Sequence, residues 1–264
     1  MANLVTNLQQ HPSTFESVTK VGAYEPFDLQ VARNQIAGHQ TLSLFGYQSS
    51  VTTTSIPVWE NATVYTYPTS ATTMTVVSTS TSDDTSAKIL INGLDANFNP
   101  ISETLALNGT TNVTTVNSYL RVNSMLMTSP GTGQNTNVGT ITLKQSSNIL
   151  SQINIGIGKT QSTVYTVPAG YTFYLDWVEV NTSNSYTGST FITYKVQTIN
   201  NNTGVKIIAL QQPFVALYSA NRIADPFAYT EKSDIQWQLV TNTGTIAAGV
   251  IVIGKLIKND GQSA

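Results

Sequence analysis

The sequence predicts an all-β protein: two tandem, jelly-roll-like β-sandwich domains preceded by an extended N-terminal arm. Three observations support this. Short runs rich in β-branched residues, bounded by Gly, Asn, Pro and Ser, recur along most of the chain, which is the pattern of sandwiches and barrels. No amphipathic run reaches the ~10–12 residues of an average helix. The runs fall into two series separated by a Gly-containing stretch near residues 150–160.

Residues 1–35 form the expected arm. They are polar, contain Pro12 and Pro26, and lack sustained periodicity. A solvated tail rarely carries as many large apolar groups as Phe15, Tyr24, Phe27 and Leu29, so these four are the candidate assembly contacts. Asp28 to Ile36 has room for one short helix at most. The first domain is expected over 36–150. Its strands are Thr41–Tyr47, with Leu42 and Leu44 on one side; Thr63–Tyr67; Met74–Val77; Lys88–Asn92; Ile101–Leu107; Tyr119–Met127; and Thr140–Leu143. Asp95 to Pro100 reads as a hairpin turn, because Asn and Pro supply the backbone angles a tight turn needs.

Asn148 to Gly158 reads as a connector, and the second domain is expected over 155–259. Its strands are Thr163–Val167, Thr172–Val180, Thr190–Thr198, Val205–Gln211, Asp234–Val240 and Ala247–Ile257. Val167 to Gly170, VPAG, is a turn in which Pro168 presets φ and Gly170 can take a positive one. Ile235, Trp237 and Leu239 share one strand face, with Gln236 and Gln238 on the other.

Composition narrows the function classes. Charged residues are 10% of the 264, against roughly 25% in an ordinary soluble domain. Hydroxyls and amides hydrate the surface instead, which suits a protein packed into an assembly. Net charge is −2, and the 12 basic residues are scattered singly. Nucleic-acid binding needs a basic cluster to displace counterions, so no nucleic-acid partner is expected. There is no cysteine, hence no thiolate metal site or Cys nucleophile. The start of the chain lacks the cationic and apolar regions of a signal peptide. The longest apolar stretch, Ile246 to Ile253, is too short to span a bilayer, and no membrane partner is expected. Asn-x-Ser/Thr triplets at Asn61, Asn108, Asn112, Asn181 and Asn201 are the chance yield of a chain rich in Asn and Thr.

The chemistry of a catalyst is hard to assemble from these residues. His11 and His39 are the two histidines. His11 sits in the polar arm, and His39 lies in a turn before a strand, where a cap or turn hydrogen bond accounts for it. Nucleophile-elbow, zinc-helix and phosphate-loop motifs are missing. Trp59-Glu60 and Asp176-Trp177 place an acid beside an aromatic, as sugar sites do, yet Trp at strand ends serves packing in most sandwiches. Asp95, Asn97 and Asn99 open like a calcium loop, but Pro100 and Ala106 occupy the positions that need Gly and Glu. Asp83-Asp84 reads as loop before cation site. No enzyme activity, cofactor, catalytic residue or metal site is expected.

Longer stretches carry a resemblance. Phe27 to Gln48 (FDLQVARNQIAGHQTLSLFGYQ), Pro57 to Asp83, and above all Ile91 to Asn123 (INGLDANFNPISETLALNGTTNVTTVNSYLRVN) resemble a family common in cyanophages and other marine phages. Tyr165 to Leu175 and Glu231 to Gln238 (EKSDIQWQ) extend the resemblance into the second half. Members are usually called virion structural proteins. The resemblance implies a non-enzymatic particle protein made in the host bacterial cytoplasm and residing in the virion. The expected role is capsid decoration through the arm, with the major capsid protein or another virion protein as partner, in a homo-oligomer. A tail or baseplate component is the alternative. So is an adhesin binding host polysaccharide through surface aromatics such as Trp59, Tyr65 and Tyr67.

Overall fold

The structure, a computed structural model, describes residues 25–183, 191–215 and 218–259, the side chains of 218 and 221–226 excepted, together with the backbone of two short strands near the N-terminus. Those two, β1 (Gln9–Gln10) and β2 (Ser17–Val18), pair antiparallel. The helix α1 (Phe27–Ala32) follows, then β3 (His39–Val51), β4 (Ile56–Pro57), β5 (Thr75–Ser78), β6 (Lys88–Leu94), β7 (Pro100–Ala106), β8 (Val113–Thr114), β9 (Arg121–Ser129), β10 (Ile141–Gln145) and β11 (Asn148–Ile153). The rest are β12 (Val164–Thr166), β13 (Tyr171–Thr182), β14 (Ile192–Asn200), β15 (Lys206–Phe214), β16 (Tyr218–Tyr229), β17 (Ser233–Thr241) and β18 (Ile246–Lys258). The chain is all-β, with a single six-residue helix among the described residues.

Beyond the β1–β2 pair, four antiparallel sheets enclose two hydrophobic cores. The sheets β16-β13-β18-β3 and β12-β17-β14-β15 face each other, and β4 also pairs with β17. Phe173, Leu175, Val250 and Val252 of the first meet Tyr194, Val196, Ile235 and Trp237 of the second. Alternation explains the burial: along β18 every second residue from Ile246 to Val252 points inward. The other two sheets, β11-β10-β5-β8 and β7-β6-β9, close on Val76, Ile89, Ile91, Met125, Ile141 and Leu143.

The two units are not tandem, which corrects the expected boundaries at 36–150 and 155–259. β3 opens the first series of strands, yet it pairs along its length with β18, from Val51 opposite Ile246 to His39 opposite Ile257. β4 and β12 lie along the same edge of β17, β4 at Leu239 and Gln238 and β12 at Gln236, Ile235 and Asp234. They are two pieces of one strand line, interrupted by residues 58–163. The core of that insert runs from Trp59 to Ile153 and is joined by Val164 of β12. Sequence order suggested consecutive domains because strand runs look alike whichever sheet they join.

The chain leaves and re-enters the larger unit at one point. Val58 N–H donates to Trp237 O (2.9 Å), and Thr163 N–H donates to Val58 O (2.9 Å). The Thr163 hydroxyl bonds Val58 O at 3.0 Å, with Trp237 O at 3.1 Å. Gly46 of β3 passes directly over this crossing. A Cβ there would run into the Val58 carbonyl oxygen and lie 2.6 Å from the Thr163 methyl. Gly46→Ala is therefore expected to lower the unfolding free energy by about 1–3 kcal/mol, read by chemical denaturation.

Other expectations shift locally. The arm is not extended over 25–35: α1 packs on β3 with Val31 buried, and Arg33 pairs with Glu25 at 2.5 Å. Thr63–Tyr67 is irregular rather than a strand, although Tyr65 is buried in the core of the insert. Asn148–Ile153, expected as connector, is β11, paired with β10. Gly156 and Gly158 beyond it do turn, both at positive φ. β16 escaped the sequence pattern because Pro226, Asn221 and Asp225 interrupt any alternation. It forms at a sheet edge, and Pro226 falls in a register break where Leu175 and Trp177 pair with Phe227 and Arg222, so its missing N–H leaves no ladder bond empty. The Asp95–Pro100 turn joins β6 to β7 as expected: Asp95 Oδ1 accepts from the Asn97 and Asn99 N–H groups at 2.7 and 2.9 Å.

Candidate assembly surfaces

Four candidate contacts were expected in the arm. Phe15 and Tyr24 lie outside the described residues. Phe27 and Leu29 project from α1, each 47% exposed. A six-residue helix has little stability of its own, so its position depends on anchors. Val31 is buried, the Phe27 ring meets His39 edge-on at 5.9 Å, and Asp28 bonds Lys255 of β18 at 3.0 Å. Asp176 holds the same ammonium at 3.0 Å. The apolar faces of Phe27 and Leu29 are thus presented on a fixed base. His39 Nδ1 lies 3.0 Å from Ala37 O, the turn hydrogen bond expected for it.

A second apolar surface lies at the opposite margin of the larger unit, where β15 and β16 are the edge strands of their sheets. Val205, Ile207 and Phe227 are each about half exposed. Ile207, Ala209 and Phe227 line a groove of ≈ 530 Å³ between the two edges. Isolated exposed apolar residues need no explanation, but a contiguous set at a free strand edge marks a contact surface.

The aromatics expected on the surface are elsewhere. Trp59 and Tyr65 are buried, packed edge-on at 5.1 Å, and Tyr65 meets Tyr67 at 5.0 Å. Trp59 Nε1–H donates to Thr63 O. They form core and junction, so they cannot serve as an exposed sugar platform.

The insert is fastened to the larger unit by a buried guanidinium. Arg121 of β9 donates through Nε and Nη2 to both carboxylate oxygens of Asp234 on β17, at 2.8 and 2.9 Å. Its Nη1 donates to Pro68 O and Leu120 O, each 2.9 Å away, and Nη2 also reaches Asn201 Oδ1 at 3.2 Å. All five N–H donors are used. Tyr67 and Phe98 lie against the guanidinium, centroids 4.7 and 5.4 Å from Cζ. The Thr166 hydroxyl gives Asp234 a further bond of 2.6 Å. Sequence reasoning did not single out Arg121 or Asp234, although both stand inside the stretches that carry the family resemblance.

Glu60 lies at the crossing itself. It is buried, one carboxyl oxygen accepts from the Gln161 N–H, and Oε2 has no partner. Burial pushes its pKa from 4.5 up to about 8, against the smaller opposing effect of backbone N–H donors. Gln48 of β3 supports the same turn by donating to Trp59 O at 3.1 Å. Asp83, weighed as a loop or cation ligand, is buried and accepts from the Ser78 hydroxyl (2.5 Å) and the Val138 and Gly139 N–H groups (2.9 Å each). It ties loops of the insert together. Among the described residues no three His, Cys, Asp or Glu side chains gather as a metal site, and no helix is long and apolar enough to cross a membrane.

These features define an all-β protein with a discontinuous larger unit, an inserted smaller one, and apolar groups presented at two margins. No family model and no curated protein matches the chain. Among solved structures, that of infectious bursal disease virus Gt strain is 10% identical over 89% of this chain and 88% of that chain, with a TM-score of 0.12. At that level of similarity it carries no argument about fold or function.

Proposed function

We propose that the protein is a non-enzymatic structural component of a phage virion, a capsid decoration protein attached through its N-terminal segment. The observation that carries the proposal is the strand order of the larger unit. Its sheets run β3-β18-β13-β16 and (β4 with β12)-β17-β14-β15. That order matches an eight-stranded jelly roll whose second strand is broken by the insert, and jelly rolls recur in capsid and lectin domains. Fold alone does not choose between those roles; the resemblance of Ile91–Asn123 to phage virion proteins favours the particle.

The attachment device is the segment before β3. Phe27 and Leu29 stand exposed on α1, and the chain ahead of them carries Phe15 and Tyr24. Each aromatic buried against a partner contributes roughly 1.5–3 kcal/mol before ordering costs, so one arm is marginal and several copies together are favoured. The margin of Val205, Ile207 and Phe227 supports contacts between copies. The same chemistry at the tail or baseplate is the competing location, and imaging of labelled virions separates the two.

The test keeps the folded body intact. Deleting residues 2–24, or combining Phe27→Ser with Leu29→Ser, is expected to leave the β-sheet circular dichroism unchanged. Occupancy in purified particles should fall at least ~10-fold, the loss expected from one or two such anchors. Normal occupancy of a folded truncated protein would overturn the assignment.

A further inference from the structure

The outward face of the β17-β14-β15 sheet carries a cleft unrelated to the arm. Facing it is the irregular segment of the insert that holds Val64, Tyr65 and Tyr67, and the space between is ≈ 480 Å³. Tyr194 and Val196 point into the core, so Lys195 and Gln197 point out. Register lines up their neighbours: Gln197 stands opposite Gln236, Lys195 opposite Gln238, and Ile199 opposite Lys206. The result is a patch of side-chain amides flanked by two ammonium groups, with Val64 and Ile208 as apolar walls, 65% and 48% exposed.

What sets this patch apart is that two lysines and a free amide share one cleft with no acid in it. Lys255, Arg33 and Arg121 all have carboxylate partners. Lys195 and Lys206 have none among the described residues, and no carboxylate lines the cleft. Ser55 and Gln236 hold the Gln238 amide, at 2.9 and 2.8 Å. Gln197 and both lysines therefore remain for a ligand. Four residues separate the rows of Lys195 and Lys206, about 13 Å along the strands, the length of two or three sugar rings.

We propose that this cleft binds an acidic polysaccharide, an extended glycan whose carboxylate or sulfate groups meet Lys195 and Lys206 while a hydroxyl bonds the Gln197 amide. A neutral glycan would gain nothing from the two ammonium groups, whereas an acidic one pairs with both. A nucleic acid carries a phosphate on every residue and needs a longer run of cations than two. An acidic glycan of moderate charge density matches both the number and the spacing of the lysines. The inference does not depend on how the protein is attached.

Affinity electrophoresis of the full chain tests it, with polygalacturonate, a sulfated galactan, dextran and an oligodeoxythymidylate as separate additives. Retardation is expected with the uronate or the sulfated polymer, and whichever responds identifies the anion. Dextran is expected to have no effect. Lys195→Gln/Lys206→Gln, with unchanged circular dichroism and Tm, is expected to weaken binding at least ~10-fold, and added salt to weaken it further. Three results would overturn the proposal: no retardation by either acidic polysaccharide, wild-type affinity in the double variant, or binding to the oligodeoxythymidylate as tight as to the glycan.

Discussion

Arg121→Met lowers the unfolding free energy by roughly 3–5 kcal/mol, the usual cost of leaving one member of a buried ion pair alone. Asp234 is 2% exposed. Without the guanidinium its carboxylate keeps the Thr166 hydroxyl but loses two charge-assisted bonds. Pro68 O, Leu120 O and Asn201 Oδ1 lose their donors at the same time. Lysine does not substitute, because its ammonium cannot reproduce the planar fork. For a chain of this size the loss corresponds to a fall in Tm of about 10 °C. The paired replacement Arg121→Met/Asp234→Leu is expected to recover a large part of it, since it removes the stranded charge as well. If the double variant is no more stable than Arg121→Met, the lost packing of Tyr67 and Phe98 is what matters, and the clamp reading fails.

Stability should also fall as pH rises through the range between 4.5 and about 8, the ordinary and folded pKa values of Glu60. The sign follows from proton binding. In that interval the folded state holds a proton on Glu60 that the unfolded chain has released, so raising the pH favours unfolding. The contribution is fully present below 4.5 and lost above 8, on the order of 5 kcal/mol in all. Glu60→Gln keeps an acceptor for the Gln161 N–H and has nothing to titrate. The variant should match the wild type at pH 4 and exceed it at pH 9. Equal pH profiles for the two proteins would show that Glu60 is solvated as a carboxylate. Because Glu60 lies where the insert joins the larger unit, the loosening is expected first at that crossing, seen as faster amide exchange at Val58 and Thr163.

Much of the secondary structure was legible because period-two alternation is local. Ile235, Trp237 and Leu239 buried opposite Gln236 and Gln238, the Asp95–Pro100 turn and the VPAG turn all follow from neighbours within a few residues. Gly170 takes its positive φ as read. The failures are equally physical. Thr63–Tyr67 alternates like a strand, yet its aromatics are held by Trp59 and Arg121 rather than by a ladder. β16 contains strand breakers and forms only because β13 offers it an edge.

The sequence by itself determined the all-β class, most strand positions, the scarcity of charge and the lack of any recognisable catalytic constellation. Tertiary structure alone decided which strands share a sheet. Residues 39–57 belong with residues 164–258 because β3 and β4 find their hydrogen-bonding partners on β18 and β17, some 180 to 220 positions onward. Pairing over such separations depends on which edges are left open once the local hairpins have formed, and no window of sequence records that. The same holds for the sites. Arg121 meets Asp234 across 113 positions, and Lys195, Lys206 and Gln197 share a cleft with Tyr65 of the insert. A lysine or an arginine reads the same in sequence whether or not an acid faces it; the fold decides which charges are paired and which remain for a ligand.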